Sequence, residues 1–299
     1  MYDRNTNKRR TTYHAYAKIN LYLDILSRRE DGYHDLLTVM HSLSLRDDVT
    51  VDLLPCPTTH ISMRVMGSYL LPTDERNLAY RAADAFLRRI GKTARVRIDI
   101  RKRIPIAAGL AGGSSDAAAT LRALNVLTGR PLNESALLAL GATLGSDVPY
   151  CLVGGTQICR GRGERMQAIE CKEPLHAVVA VGGREHISTP RAFAAADAYY
   201  ADFDGSVPHG GDPDALYAAL ATGDVESLTG GIYNAFEPVV LPDCPRATEL
   251  REKLLLLGAY TAHMSGSGPS VFGLFRTREE AKRAAVELGK GAFVVSSVL

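Results

Sequence analysis

No run of roughly 18 consecutive apolar residues occurs in the 299-residue chain, so the sequence predicts no membrane-spanning helix. Cysteine is scarce as well. The five present (Cys56, Cys151, Cys159, Cys171, Cys244) are odd in number, scattered and without a CxxC pair. That excludes a disulfide framework or a zinc ribbon and points to reduced thiols. The eight histidines form no HExxH or other helical ligand spacing, so no dedicated transition-metal site is expected and no residue pattern names a metal ligand. Excess charge is missing too. The net charge is +2, and the basic runs Lys8-Arg9-Arg10 and Arg101-Lys102-Arg103 are short, which calls for no nucleic-acid partner. The opening MYDRNTNKRR is polar and has no apolar signal core, so the expected location is cytoplasmic.

What is present is an ordinary globular composition, 46% hydrophobic and 23% charged, enough for a sizeable core in one large domain or two ordinary ones. From His14 to Ile25 the residues alternate: Ala15, Ala17, Ile19, Leu21, Leu23 and Ile25 share one strand face, and Tyr16, Lys18, Asn20 and Tyr22 the other. Asp31-Gly32 marks a turn into a second extended run through Leu45. Helical spacing covers 77–90, with Gly91 suited to its end. A strand at Val96, Ile98 and Ile100 then leads into Pro105, and helices are expected over 115–128 and 134–144. Further on come a strand near 176–181, a helix opened by Thr189 as N-cap with Pro190 behind it, and a Gly/Asp/Pro-rich surface loop at 202–214. The chain ends on a helix at 245–257, a strand at 260–264, the turn SGSGPS, a strand SVFGLF, a helix at 278–288 and a strand near 292–298. This order predicts an α+β protein in two halves joined near 155–165.

The segment IPIAAGLAGGSSDAAATLRA (104–123) has almost no side-chain bulk between a strand and a helix. Glycine and alanine allow close approach to the backbone, and the first N–H groups of a helix favour an anion, commonly phosphate. The spacing is neither a Walker A loop nor GxGxxG. The residues alone leave two readings open, a phosphate cradle or a tightly packed turn capped by serine.

PIAAGLAGGSSDAAA resembles the phosphate loop of the GHMP kinases, the group of galactokinase, homoserine kinase, mevalonate kinase and phosphomevalonate kinase. AYAKINLYLDI with REDGYHDL resembles their N-terminal signature, and MSGSGPSVFGLF their C-terminal glycine motif. The match runs in order from about residue 14 to the C-terminus. It implies a ribosomal-S5-like N-terminal ATP-binding domain (1–160) and a ferredoxin-like C-terminal domain (161–299), with ATP and substrate meeting between them. It also implies an ATP-dependent small-molecule kinase, with Mg²⁺ carried by the nucleotide. By the resemblance, Pro105, Ile106, Ala107, Ala108, Gly109, Leu110, Ala111, Gly112, Gly113, Ser114 and Ser115 wrap the triphosphate, and Asn77 lies near the adenine. Asp147, in GSDVP, aligns with the general base and Lys18 assists it; Asp116 reads as a helix N-terminal acid. DGYH and STPRAF resemble the branch whose substrate carries a cytidine diphosphate group. There Tyr33 and Phe193 sandwich the base, His34 reads its edge, Asn20 binds substrate or the catalytic carboxylate, and Thr189 touches the phosphates. NAFE at 234–237 matches only loosely. Two alternatives remain, a homoserine- or mevalonate-type kinase and a nucleotide-binding sensor without catalysis. The cytosine residues speak against the first, and the Lys18–Asp147 pair against the second.

Overall fold

The alternation read at His14–Ile25 belongs to one long strand, β1 (Arg9–Arg28), followed by an equally long β2 (His34–Pro55). The computed structural model describes residues 8–68, 70–181, 188–201, 210–224 and 227–298. By contacts the chain forms two compact units, and β1 and β2 pass through both. The first comprises the described residues of Met1–Ala17, Leu45–Ile106 and Ala111–Gly154; the second comprises those of Lys18–Ser44, Ala107–Leu110 and Gly155–Leu299. A single cut near 155–165 therefore meets only one of several crossings.

In the first unit β2 is followed by β3 (His60–Met66), α1 (Leu78–Arg89), β4 (Ala94–Arg101), α2 (Gly112–Leu127), α3 (Glu134–Ala142) and α4 (Val148–Val153). The β2–β4 ladder is antiparallel, from Asp48 opposite Arg101 to Pro55 opposite Ala94, and β3 runs parallel to β4. One strand face carries Val49, Val51, Val96, Ile98 and Ile100, packed against Ala79, Ala82, Ala83 and Phe86 of α1 and Ala117, Ala118, Leu121 and Leu124 of α2. Alanines at facing helix positions let the two backbones approach closely, and each large apolar side chain buried contributes about 1.5–3 kcal/mol.

In the second unit the elements are β5 (Thr156–Gly161), β6 (Arg165–Ala168), β7 (His176–Val181), α5 (Thr189–Tyr199), α6 (Pro213–Thr222), α7 (Leu228–Gly231), β8 (Tyr233–Asn234), α8 (Glu237–Val240), α9 (Pro245–Leu256), β9 (Thr261–Met264), β10 (Ser270–Phe275), α10 (Arg278–Leu288) and β11 (Ala292–Ser296). β7, β9, β10 and β11 form an antiparallel sheet in the order β11-β7-β10-β9. Its last strand in the chain lies beside its first, the ferredoxin-like arrangement of a split β-α-β. Val178, Ala180, Val271, Leu250, Leu254, Ala281 and Ala284 fill the core between this sheet and α9 and α10. β5 pairs with β2 and with β6, and β8 adds two residues parallel to β1.

Three local expectations shift. α2 begins at Gly112 rather than 115, because Ala111 turns the chain with a left-handed φ of 56° and the helix propagates from there. The N-cap of α5 is Ser188, leaving Thr189 as the first helical residue. Of the 202–214 loop, residues 202–209 lie outside the described residues. Asp212 caps α6, its carboxylate accepting from the N–H groups of Asp214 and Ala215. Among the described residues no helix is long and apolar enough to cross a membrane.

Candidate active site

Lys18 and Asn20 leave β1 on the same side, as period-two spacing requires. That side is not a solvated face: Lys18 is 4% and Asn20 3% exposed, nearly as deeply placed as the apolar Ile19 between them. The Lys18 ammonium donates to Asn20 Oδ1 at 2.6 Å and to the Gly109 carbonyl at 2.9 Å. Asn20 Nδ2 donates to Thr38 Oγ1 at 2.8 Å, and Thr38 donates to the Tyr22 carbonyl at 2.6 Å. The chain of bonds fixes which end of the Asn20 amide faces the lysine.

The loop segment of this unit, 107–110, is held by its carbonyls. Ala108 O accepts from the Ser270 hydroxyl, Gly109 O from Lys18 and from Ser265 Oγ (3.1 Å), and Leu110 O from the Lys18 backbone N–H (3.2 Å). In a planar trans peptide the N–H points opposite to the C=O. With these carbonyls turned to the protein, the N–H groups of Gly109 and Leu110, and that of the next peptide, face the other way. Successive N–H groups turned to one side in this way can make an anion-binding concavity. Glycine is required at 109: φ is +74° and a Cβ there would collide with the Ser265 carbonyl. Ala107 takes φ 51° without being glycine, a cost of the sort found at ligand sites. Gly266, in the β9–β10 turn, lies close enough that an added Cβ would stand 3.1 Å from Gly109 O and 3.2 Å from Lys18 Nζ.

Also in the second unit, His34 Nε2 bonds to Asp197 Oδ1 at 2.7 Å, and its ring stacks on Phe193 at 4.4 Å between centroids and 12° between planes. Phe193 meets Phe236 edge-on at 4.9 Å. Tyr33 is half exposed, with the Arg162 guanidinium 3.8 Å above its ring. The aromatic ring that faces Phe193 is therefore His34. Thr189 Oγ1 bonds to Ser267 Oγ at 3.1 Å, joining the start of α5 to the glycine turn.

In the first unit, the loop residues Pro105 and Ile106 lead out of the β4 strand, and Ile106 is exposed. The first intrahelical bond of α2 is Ser115 N–H to Ala111 O at 2.9 Å, so the N–H groups of Gly112, Gly113 and Ser114 have no partner inside the helix. The Ser115 hydroxyl donates to the Tyr16 carbonyl at 2.7 Å. Both donors of Ser115 are thus committed to the fold. The Ser114 hydroxyl has no partner among the described residues.

Asp116 is not an open N-terminal acid. It is 3% exposed and lies in a buried cluster, where Lys102 Nζ donates to Asp116 Oδ2 at 2.7 Å and to Asp47 Oδ2 at 2.6 Å. Burial, opposed by Lys102 and reinforced by the Asp47 charge, pushes the Asp116 carboxyl up to about 7. Asp47 also accepts from the backbone N–H groups of Arg103 and Ile104, tying the end of β4 to the start of α2. A Cβ on Gly112 would approach Lys102 Nζ at 3.0 Å. Asn77 caps α1: Oδ1 accepts from Ala79 N–H and Nδ2 donates to Pro72 O, each at 2.9 Å. Asp147 is the residue before α4, partly exposed, and makes no side-chain capping bond to the helix it precedes. Among the described residues no group of three or more His, Cys, Asp or Glu is arranged to hold a metal ion.

Sequence reasoning missed Thr38, Ser265, Ser270, Asp197, Arg162 and the Asp47–Lys102 pair. Each acts through a contact distant along the chain. Ser265 and Ser270, inside the SGSGPS turn, and Lys102, inside a basic run, lay in stretches already singled out.

The pattern of the GHMP kinases N terminal domain matches residues 77–155, and that of GHMP kinases C terminal matches residues 216–293. A 4-diphosphocytidyl-2-C-methyl-D-erythritol kinase of Gloeobacter violaceus is 42% identical over 92% of this chain and 88% of its own length. One of the same description from Pelotomaculum thermopropionicum is 41% identical over 91% of each. A crystal structure of 4-(cytidine 5'-diphospho)-2C-methyl-D-erythritol kinase superposes with a TM-score of 0.79 at 34% identity, covering 97% of this chain and all (100%) of that one. Homoserine kinase from Cytophaga hutchinsonii, at 20% identity and a TM-score of 0.71, shares the fold. With both domain patterns in order and relatives this similar over nearly the whole length, the chain belongs to the GHMP kinase family, on its 4-diphosphocytidyl-2-C-methyl-D-erythritol kinase branch.

Proposed function

We propose that the chain transfers the γ-phosphoryl group of ATP to the 2-hydroxyl of 4-diphosphocytidyl-2-C-methyl-D-erythritol, a step of non-mevalonate isoprenoid precursor synthesis in the cytoplasm. The observation that carries the reading is the loop at 107–110. Its carbonyls are tied to Lys18, Ser265 and Ser270, and its N–H groups turn the other way. Such preset donors suit a triphosphate and need no rearrangement when it arrives.

In this reading the N–H groups of Gly109 and Leu110, and those of Gly112, Gly113 and Ser114 at the start of α2, hold phosphate oxygens. Asp147 accepts the acceptor hydroxyl's proton. An ordinary carboxylate suffices, because phosphoryl transfer depends mainly on alignment and charge stabilisation. Lys18 offsets the negative charge developing on the transferred group, and Asn20 keeps the ammonium aimed. Mg²⁺ bound to the nucleotide would neutralise β- and γ-phosphate charge. The Ser114 hydroxyl, at the start of α2 and without a partner among the described residues, is the side chain that would hold it. Tyr33, His34 and Phe193 recognise cytosine, and Thr189 the substrate phosphates.

The test is coupled ADP release from purified protein. Turnover is expected with the cytidyl alcohol and not with mevalonate or homoserine. Asp147→Asn is expected to lower kcat by about 10²–10⁴-fold, the usual contribution of a positioned base. Stimulation by homoserine would transfer the assignment to another kinase of the family, and nucleotide binding without turnover in folded protein would make the chain a sensor.

A further inference from the structure

The loosely matching NAFE stretch at 234–237 contains an asparagine that is 1% exposed and fully bonded. Asn234 Nδ2 donates to the Met264 carbonyl at 2.7 Å and to the Gly266 carbonyl at 2.9 Å, and Oδ1 accepts from Phe236 N–H at 2.9 Å. Glu237 grips the same strand end: its Oε1 accepts from Met264 N–H at 2.6 Å and bonds to His263 Nδ1 at 3.2 Å. Asn234 also sits in β8, paired with Leu23 of β1, with the Ala235 N–H donating to Leu23 O at 2.9 Å. One residue thus ties the strand that carries Lys18 and Asn20 to the turn that presses on Lys18 and Gly109.

We propose that Asn234 is a positioning residue for phosphoryl transfer. By holding the Met264 and Gly266 carbonyls it sets the 265–269 turn against Gly109 O and the Lys18 ammonium. The assignment rests on the function proposed above. An asparagine suits this place because the two carbonyls need two donors from one planar group, while the third bond locks the amide's orientation. Removing the amide leaves two buried carbonyls without donors, and relaxation of Gly266 shifts the surface that faces Lys18. The turn follows from those unpaired groups; Lys18 and Gly109 follow from the turn.

The experiment compares Asn234→Ala and Asn234→Asp with wild type and with Leu254→Ala, a substitution in the core under the same sheet. All are assayed well below their melting transitions. Asn234→Ala is expected to lose about 100-fold in kcat, the scale of an ångström-sized misplacement, with the KM for the cytidyl substrate moving less than about threefold. Asn234→Asp, which keeps the Phe236 bond and loses both donors, should fall equally. Leu254→Ala should keep its kcat. Hydrogen exchange gives a readout independent of turnover: peptides covering 106–112 and 264–270 should exchange faster in Asn234→Ala and not in Leu254→Ala. Wild-type kcat in folded Asn234→Ala, an equal loss in Leu254→Ala, or unchanged exchange at 106–112 would each overturn the proposal. If wild type itself fails to turn over the cytidyl substrate, the functional reading falls and the exchange result still decides whether Asn234 sets the loop.

Discussion

His34 lies flat against Phe193, the ring centroids 4.4 Å apart and the planes within 12° of parallel. The Asp197 carboxylate holds the outer edge of the imidazole at 2.7 Å. If these residues recognise cytosine, the loss of either aromatic partner should act on one substrate only. Phe193→Ala is expected to raise the KM for the cytidyl substrate by about 3–10-fold, the equivalent of one aromatic contact, and to leave the KM for ATP unchanged. Steady-state kinetics with each substrate varied in turn checks this, and equal effects on both would remove the assignment.

The Arg162 guanidinium covers the Tyr33 ring at 3.8 Å. A base stacking on that face has to displace it, against a cation–π attraction of about 0.5–1 kcal/mol at an exposed site. Arg162→Ala is therefore expected to tighten cytidyl-substrate binding by about 2–5-fold, read as a lower KM or Kd. Weaker binding would mean that Arg162 contacts the ligand instead.

The fold was legible where local pattern and burial agree. The alternation at 14–25, the helix that starts at Asn77, and the strand and helix at the C-terminal end all follow from short-range spacing. The start of α2 was not, since Ala111 adopts a left-handed conformation that its side chain gives no reason to expect. The burial of Lys18 and Asn20 was hidden for a similar reason: period-two alternation reports which face a residue joins, and only tertiary packing reports whether that face is covered. Ser115 and Asp116 were read as ligand and end-of-helix groups from their position in the motif. Both are instead turned inward, by Tyr16 O and by Lys102, contacts set by residues distant in sequence.

Lys18 donates to both Asn20 and Gly109, so its amine holds the loop in addition to the part in phosphoryl transfer proposed for it above. Lys18→Met is expected to lower kcat by about 10²–10³-fold, the scale of removing one preorganised donor, with a smaller rise in the KM for ATP. Lys18→Arg should not restore activity, because the planar fork needs a wider space than an ammonium between two acceptors. Single-turnover measurements separate the loss of chemistry from slower release; restored chemistry in Lys18→Arg would reduce the residue to a bare charge.

Lys102 is shared by Asp47 and Asp116, and removing a buried ion's partner commonly costs about 3–5 kcal/mol. Lys102→Met is expected to destabilise the protein by that amount in urea. A wild-type midpoint in Lys102→Met would show that the two carboxylates hold a proton between them and need no cation.

Two buried groups bias stability against pH in opposite senses. Asp116, pushed up to about 7 by burial, binds its proton more tightly when folded, so its contribution is full below about pH 4 and is lost as pH rises toward 7. His41 is pushed down to about 4 by burial, between the hydroxyls of Thr156 and Ser297, each at 2.8 Å. Its contribution is full above about pH 6.5 and is lost as pH falls toward 4, with a slope of about 1.4 kcal/mol per pH unit for one proton. Between about pH 4 and 6.5 the two slopes oppose each other and largely cancel. Asp116→Asn should therefore make the protein lose stability on acidification, and His41→Gln should make it gain, each relative to a flatter wild type. Urea midpoints at several pH values across this window check the pair. Parallel curves for wild type and either variant would show that the altered side chain keeps an ordinary pKa despite its burial.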